Sequence, residues 1–230
     1  MDQRFLDETV CRKPELFRAM VDFNSSRMAL AGQKPVPASG TLGSALLSDP
    51  LIRKALGRTS EPGTADSWWD FSDETFRLLL IEDSTLKRAA LGFSAAVYAE
   101  ELALVIDRAQ VLALRRLLGD DIFTYSLRRG RYQIGSLRPF LTRQISVGTL
   151  AERLSLLASS VLICLADGWP EQLQHLWTAK LRASGMLSEN ADGTETALPS
   201  LSREQRRALW FTFKKHLLRE AAPQWAPCFD

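Results

Sequence analysis

A central helical tract over residues 86–137 constrains the fold of this chain more than any other feature. It reads LKRAALGFSAAVYAEELALVIDRAQVLALRRLLGDDIFTYSLRRGRYQIGSL. Apolar residues recur three and four positions apart, which places them on one face of an α-helix, and glycines interrupt the pattern. The tract contains no recognisable nucleophile, metal-ligand set or phosphate-binding loop. The tract therefore predicts closely packed helices and gives no sign of catalysis. This combination favours a protein that functions by binding other proteins.

The length and composition are those of a globular chain with a substantial core. The chain has 230 residues, of which 46% are hydrophobic and 24% are charged, so it can form one domain, or one domain with a smaller lobe. Lysine and arginine total 29 against 27 acidic residues, a formal net charge of +2. This balance argues against a protein whose main task is to neutralise phosphates, since such domains are strongly basic.

Helix start and stop signals predict an all-α, or nearly all-α, fold in a single compact domain over residues 1–230. We expect an irregular N-terminal portion with short helices over residues 1–70, one of them near 17–23 and interrupted at 24–26. A central helical array follows over 72–184, then a polar excursion near 185–201, and a C-terminal helix with a short tail over 202–222. The predicted N-caps are Ser72, Asp107, Thr149 and Ser202, with Gly119 after one helix and Pro170 at the first position of another.

Catalytic and metal-binding patterns are missing from the sequence. The two histidines, His175 and His216, form no HxxxH pair, and no nucleotide-binding glycine motif occurs. We therefore expect no catalytic residues, no cofactor and no metal. A site assembled from distant residues such as Glu100, Asp120 and His175 stays open as an alternative. The three cysteines are far apart and odd in number, which favours a reducing cytosol, and no apolar run approaches the length of a membrane span.

One charged cluster is a candidate binding site. Arg128, Arg129 and Arg131 lie together beside Tyr132, at the predicted end of a helix. Three interpretations are open: a solvated helix end, a surface for an acidic protein partner, or a nucleic-acid contact. Trp225 follows the last predicted helix, and a tryptophan in such a tail is a candidate for docking as well as for packing.

The order of landmarks along nearly the whole chain resembles the SctK (YscK) family of type III secretion systems. The resemblance is carried by an early Phe23–Asn24 segment and by the central run LGDDIFTYSLRRGRYQIG. Further along, Trp169–Pro170 precedes a helix with QHLW and Lys180–Leu181, and the chain closes on FKKHLLRE and PQWAPCFD.

The resemblance implies a cytoplasmic, non-enzymatic member of the sorting platform beneath the injectisome, attached to the inner membrane through the apparatus. Proteins of this family bridge the cytoplasmic domain of the ring protein SctD to the pod protein SctQ, which carries the stator SctL and the ATPase SctN. The expected function is therefore that of an adaptor in protein secretion and virulence. Partner contacts are expected at Arg128, Arg129, Arg131, Tyr132 and Trp225. The alternative is a helical nucleic-acid-binding regulator that uses the same arginines.

Overall fold

Helices form every regular element that the structure describes. The computed structural model of the chain describes residues 3–30, 68–135, 137–145, 148–187, 198 and 201–229, and no strand occurs among them. This confirms the expected all-α fold. The short helices and loops predicted within 31–67, and most of the polar excursion near 185–201, lie outside the described residues.

Eleven α-helices are found in the described ranges, joined by shorter helical turns. Turns of 3-10 helix cover Glu74–Leu80, Gly130–Tyr132 and Pro223–Trp225, and a π-helix covers Leu217–Ala221. The α-helices are α1 Gln3–Arg12, α2 Pro14–Leu30, α3 Asp83–Val97, α4 Ala99–Leu104, α5 Arg108–Leu118, α6 Asp120–Arg128, α7 Leu137–Gln144, α8 Leu150–Leu165, α9 Glu171–Ala183, α10 Arg203–His216 and α11 Ala226–Phe229.

The chain divides into two compact units. The first unit comprises Met1–Leu80 together with Pro227–Asp230, and the second comprises Ile81–Ala226. The sequence was interpreted as one domain with an irregular N-terminal portion. In the structure, the last residues of the chain belong to the N-terminal unit, and Cys228 and Phe229 are buried there.

In the first unit, α2 runs without a break through the segment where the sequence predicted an interruption, so that expectation is wrong. Asn24 is 1% exposed, and its side-chain amide donates to the Met20 carbonyl (2.9 Å) and to the Trp68 carbonyl (2.8 Å). Its Oδ1 accepts the Trp68 backbone N–H at 2.8 Å. Asparagine usually competes with helical backbone bonds, but here its polar atoms are satisfied by a partner 44 residues away.

The predicted start of the central array is also wrong. Ser72 caps no α-helix, because the element that follows it is a 3-10 helix, and its hydroxyl donates to the Asp70 carboxylate at 2.6 Å. A 3-10 helix occupies Glu74–Leu80, and the first α-helix of the array begins at Asp83. Within the central array, α3 and α4 are separated by a break at Tyr98. The Tyr98 hydroxyl donates to the Ile145 carbonyl at 2.7 Å, which holds this break in the core.

The second unit is built around α3. All residues from Ala89 to Val97 are buried, because this stretch is apolar or small on every side. Helices α8 and α6 pack most extensively against it, and α4, α5, α7, α9, α10 and the π-helix also contact it. The small residues of α3 allow neighbouring elements to pack close to its backbone. A Cβ added at Gly130 would lie 2.9 Å from Ala96 Cβ and 3.0 Å from Ala96 Cα, so glycine is needed where the Gly130–Tyr132 turn meets α3.

The remaining cap predictions are confirmed by side-chain geometry. Asp107 accepts the Gln110 N–H at 2.8 Å, and Thr149 and Ser202 both form reciprocal capping boxes, with Glu152 and Gln205 respectively. Gly119 has φ of 82° and separates α5 from α6. Pro170 differs slightly from its prediction, because it is the N-cap of α9 and the helix begins at Glu171. No helix among the described residues is long and apolar enough to cross a bilayer.

Candidate partner-binding surface

The end of α6 and the following 3-10 turn present the charged cluster that the sequence singled out. Arg128, Arg129 and Arg131 are exposed, and Tyr132 is 69% exposed. We call these four residues the Arg–Tyr surface. The Arg131 guanidinium lies over the Tyr132 ring, 4.5 Å from its centroid, and also donates to the Tyr132 hydroxyl. Stacking of this kind orders two side chains that would otherwise be free in solvent.

The cationic groups of this surface are not neutralised by the chain itself. Within the described ranges, no carboxylate forms an ion pair with Arg128, Arg129 or Arg131. The positive charge is therefore available to a ligand, and an aromatic ring with arginines around it is the composition found in protein interfaces.

Arg138, which follows the cluster in sequence, has a structural role instead. It forms an ion pair with Glu100 on α4, and it donates to the carbonyls of Ala96 (3.3 Å) and Arg131. Its side chain is only 15% exposed. These bonds connect the Gly130–Tyr132 turn to α3, so the backbone that carries the Arg–Tyr surface is fixed in position.

A partly buried chain of polar side chains lies beneath the same surface, and the sequence did not predict it. Glu220 accepts from the Gln133 amide (3.0 Å), Gln133 Oε1 accepts from the Tyr125 hydroxyl (2.9 Å), and that hydroxyl lies 3.1 Å from His216 Nδ1. Because Tyr125 donates to Gln133, His216 Nδ1 is the donor to the Tyr125 oxygen. We call these four side chains the polar quartet. It joins α6, the residue after the 3-10 turn, α10 and the π-helix.

The electrostatics of the quartet follow from its burial. Burial, and secondarily Glu220, raise the pKa of Tyr125 well above its ordinary range although Arg129 opposes this, so the hydroxyl stays protonated. Burial lowers the pKa of His216 to about 4, against the opposing effects of Glu220 and the Ala89 carbonyl. His216 Nε2 makes no hydrogen bond of ordinary geometry in the described structure. A Cβ at position 92 would lie 2.9 Å from that nitrogen, which explains the glycine there.

A small pocket of about 160 Å³ adjoins the quartet, between α3, α6 and the π-helix. The Arg88–Asp121 ion pair lines it together with Tyr125, His216 and Glu220. A sequence signal for the buried His216 does exist, because it follows the buried Leu209 and Phe213 at helical spacing. The sequence of the π-helix, LLREA, contains no pattern that predicts this helix type.

The three residues of the alternative site suggested by the sequence, Glu100, Asp120 and His175, each bind a different partner in the structure. Glu100 pairs with Arg138, Asp120 pairs with Arg115 at 3.2 Å, and the exposed His175 lies 3.6 Å from Glu171 on its own helix. Each is therefore engaged with a different partner. Among the described residues, no group of three or more His, Cys, Asp or Glu side chains is arranged to hold a metal ion. Trp225 lies half-buried on the Pro223–Trp225 turn, a separate element from the Arg–Tyr surface.

Comparison with known proteins adds no further constraint. No family model, curated protein or solved structure matches this chain.

The quartet gives a testable pH dependence of stability. His216 titrates near its ordinary pKa of about 6.5 in the unfolded chain and near 4 in the folded chain. Between these values the unfolded state binds more protons, so stability decreases as pH falls from about 6.5 to about 4, by up to about 1.4 kcal/mol per pH unit. We expect His216→Asn to remove this part of the slope in denaturant titrations of unfolding across that range.

The matched control is His175→Asn, which alters an exposed histidine and should keep the wild-type slope. Parallel stability curves for the wild type and His216→Asn would contradict the assignment.

Proposed function

We propose that this chain is a non-catalytic adaptor of a type III secretion injectisome. In this proposal it links the cytoplasmic domain of the inner-membrane ring protein SctD to the sorting-platform pod protein SctQ, and through SctQ to the stator SctL and the ATPase SctN. It acts in the bacterial cytoplasm, attached to the inner membrane through the apparatus. The resemblance to the SctK family along the sequence supports this proposal, and the all-α fold agrees with it.

The observation that carries the proposal is the Arg–Tyr surface. Its three arginines have no ion-pair partner within the described residues, its aromatic ring is 69% exposed, and Arg138 holds its backbone in place. A fixed cationic surface with an aromatic centre is suited to an acidic patch on a folded protein, because the partner charges supply the neutralisation that the chain lacks. Trp225 is the second candidate contact, and a bridging protein needs more than one.

Charge reversal of Arg128, Arg129 and Arg131 to glutamate tests the proposal. We expect at least a tenfold loss of affinity for purified SctQ or for the SctD cytoplasmic domain, which corresponds to about 1.4 kcal/mol. The physical reason is that attraction across the interface becomes repulsion, so wild-type binding should also weaken as salt rises. Affinity is measured by pull-down followed by titration, and far-UV circular dichroism checks that the helices are intact.

The matched control carries Arg203→Glu, Arg207→Glu and Lys215→Glu, an equal change of charge on the exposed part of α10. It should bind as the wild type does. Equal binding by both triple variants would overturn the role of the Arg–Tyr surface. If the wild type instead bound a DNA or RNA duplex with a steep salt dependence that the first variant lost, the nucleic-acid-binding alternative would replace the adaptor.

A further inference from the structure

The proposed adaptor function makes no use of the pocket between α3, α6 and the π-helix. Its volume is about 160 Å³, close to that of an engineered cavity of about 150 Å³ that holds a benzene molecule. The pocket can therefore accommodate a small organic molecule, whereas sites for nucleotides and other drug-sized ligands are several times larger. Its apolar lining consists of Gly92, Ile122 and Ala221.

The charged side chains that line the pocket give it a net negative charge. Arg88 on α3 forms an ion pair with Asp121 on α6, so these two charges offset each other. Glu220 forms no ion pair in the part of the chain that the structure describes. Its Oε1 accepts from the neutral amide of Gln133 at 3.0 Å. A partly buried carboxylate without a counter-ion favours a cationic ligand.

The imidazole of His216 adds an acceptor without a partner. The residue is 3% exposed, and its Nδ1 donates to the Tyr125 oxygen, so Nε2 carries the lone pair. This nitrogen makes no hydrogen bond of ordinary geometry among the described residues. A Cβ added at Gly92 would lie 2.9 Å from Nε2 and 3.8 Å from Ile122 Cγ2. Since Gly92 and Ile122 both line the pocket, the Nε2 edge of the ring belongs to its wall.

The π-helix brings the acidic side chain to the same pocket as the imidazole. His216 ends α10, and Glu220 lies in the π-helix Leu217–Ala221 that continues it. Segments of π-helix are rare and occur frequently at functional sites. Here the segment adds Glu220 and Ala221 to a pocket whose other residues come from α3, α6 and the end of α10.

We infer that this pocket binds a small primary ammonium ion. The N–H groups of the ligand supply donors for the Glu220 carboxylate and for His216 Nε2, and its short alkyl chain packs against Ile122 and Ala221. The inference does not rest on the secretion assignment, because it uses a cavity of the second unit and none of the residues of the Arg–Tyr surface.

The same residues disfavour other ligands. An anion would meet Glu220, while the guanidinium of Arg88 is already paired with Asp121. A quaternary ammonium ion has no N–H group to donate. A directly coordinated metal ion needs several ligands, and no group of three or more His, Cys, Asp or Glu side chains in the described ranges is arranged to hold one. A purely apolar ligand would remove water from the carboxylate without replacing its hydrogen bonds.

An NMR titration of the isotope-labelled full chain with n-butylamine at neutral pH tests the inference. We expect saturable shifts centred on the amides of Gly92, Ile122 and Ala221 and on the ring nitrogens of His216. The dissociation constant should be on the order of 1 mM, as expected for a ligand of this size. The neutral isostere n-butanol and the anion butyrate are the matched control ligands, and each should bind about tenfold more weakly or worse.

Three variants relate binding to the charge of the pocket. Glu220→Gln keeps the shape of the side chain and should lower the affinity for n-butylamine about tenfold. Glu204→Gln removes an equal charge from an exposed position on α10 outside the pocket and should bind as the wild type does. Arg88→Gln leaves Asp121 without its counter-charge, so affinity should instead rise about fivefold. The side chain of Arg88 is half exposed, so this variant folds even if Glu220→Gln does not.

Several results would overturn the inference. Shifts that do not saturate, or that are centred outside the pocket, would show that the amine does not bind there. Equal binding of n-butylamine and n-butanol would remove the role of the charge, and tighter binding of butyrate would assign the pocket to anions. An equal loss of affinity in Glu220→Gln and Glu204→Gln would mean that binding follows the net charge of the protein and not the pocket.

Discussion

Replacement of Trp177 by alanine will lower the free energy of unfolding of the second unit by about 3–5 kcal/mol, the range for a large aromatic side chain lost from a core. Trp177 is 2% exposed and lies on the inner face of α9. Its ring lies 5.3 Å from that of Trp169, and its indole N–H donates to the Leu162 carbonyl at 3.0 Å. The substitution removes the packing of two rings and one buried hydrogen bond at once.

Denaturant unfolding followed by far-UV circular dichroism measures this effect, since the tryptophan itself is lost as a fluorescent probe. Trp177→Phe keeps most of the packing but not the hydrogen bond, and we expect a smaller loss of about 1–3 kcal/mol. His175→Ala changes an exposed residue on the same helix and should stay within about 0.5 kcal/mol of the wild type. A loss below about 1 kcal/mol for Trp177→Ala would mean that α9 does not pack as described.

Replacement of Arg77 by alanine will release the end of the chain from the first unit. Arg77 is 4% exposed, and it donates to the carbonyls of Phe71 (3.0 Å), Cys228 (2.9 Å) and Ser72 (3.5 Å). Burial lowers the pKa of Arg77, although Glu74, Cys228 and Asp73 oppose this. Without the guanidinium, buried carbonyls lose their donors, which costs about 2–4 kcal/mol in total.

The reactivity of Cys228 reports this release. Burial raises the pKa of the Cys228 thiol to about 11, so its thiolate is scarce near neutral pH. On exposure the pKa returns towards about 8.5, and alkylation should accelerate by roughly a hundredfold. Cys11 is exposed in the same unit and provides an internal reference. Arg77→Lys keeps a charge but not the planar fork, so we expect an intermediate rate. Unchanged protection of Cys228 in Arg77→Ala would contradict this account.

Local signals predicted the helix ends well, and non-local bonds account for the failures. Asp107, Thr149 and Ser202 act within three residues of themselves, so a short window of sequence contains the whole interaction. The sequence predicted a helix interruption at Asn24. That prediction failed because the hydrogen-bond partner of Asn24, Trp68, is 44 residues away and a short window of sequence does not contain it. The same chemistry that ends helices locally can stabilise one when the partner comes from elsewhere in the fold.

The same distinction between local and non-local contacts applies to the candidate surface. The grouping of Arg128, Arg129 and Arg131 could be predicted because the residues adjoin, and so could their position at a helix end. The polar quartet could not, because Tyr125 and His216 are 91 residues apart and Gln133 and Glu220 are 87 apart. The support that Arg138 gives to the turn, through its contacts with Glu100 and Ala96, could not be predicted either, because those partners are 38 and 42 residues away.

Tyr132 and Gln133 are adjacent in the sequence, but the first side chain is exposed and the second is partly buried in the second unit. Tyr132 faces solvent, and the next side chain is held by a carboxylate on the π-helix, 3.0 Å away. The orientation of the outer ring is thus anchored through one peptide unit by Glu220, a partly buried side chain that is not itself part of the Arg–Tyr surface. A neutral residue in place of Glu220 would loosen the presentation of the outer residues while leaving their chemistry intact, so loss of recognition would not by itself identify a point of contact.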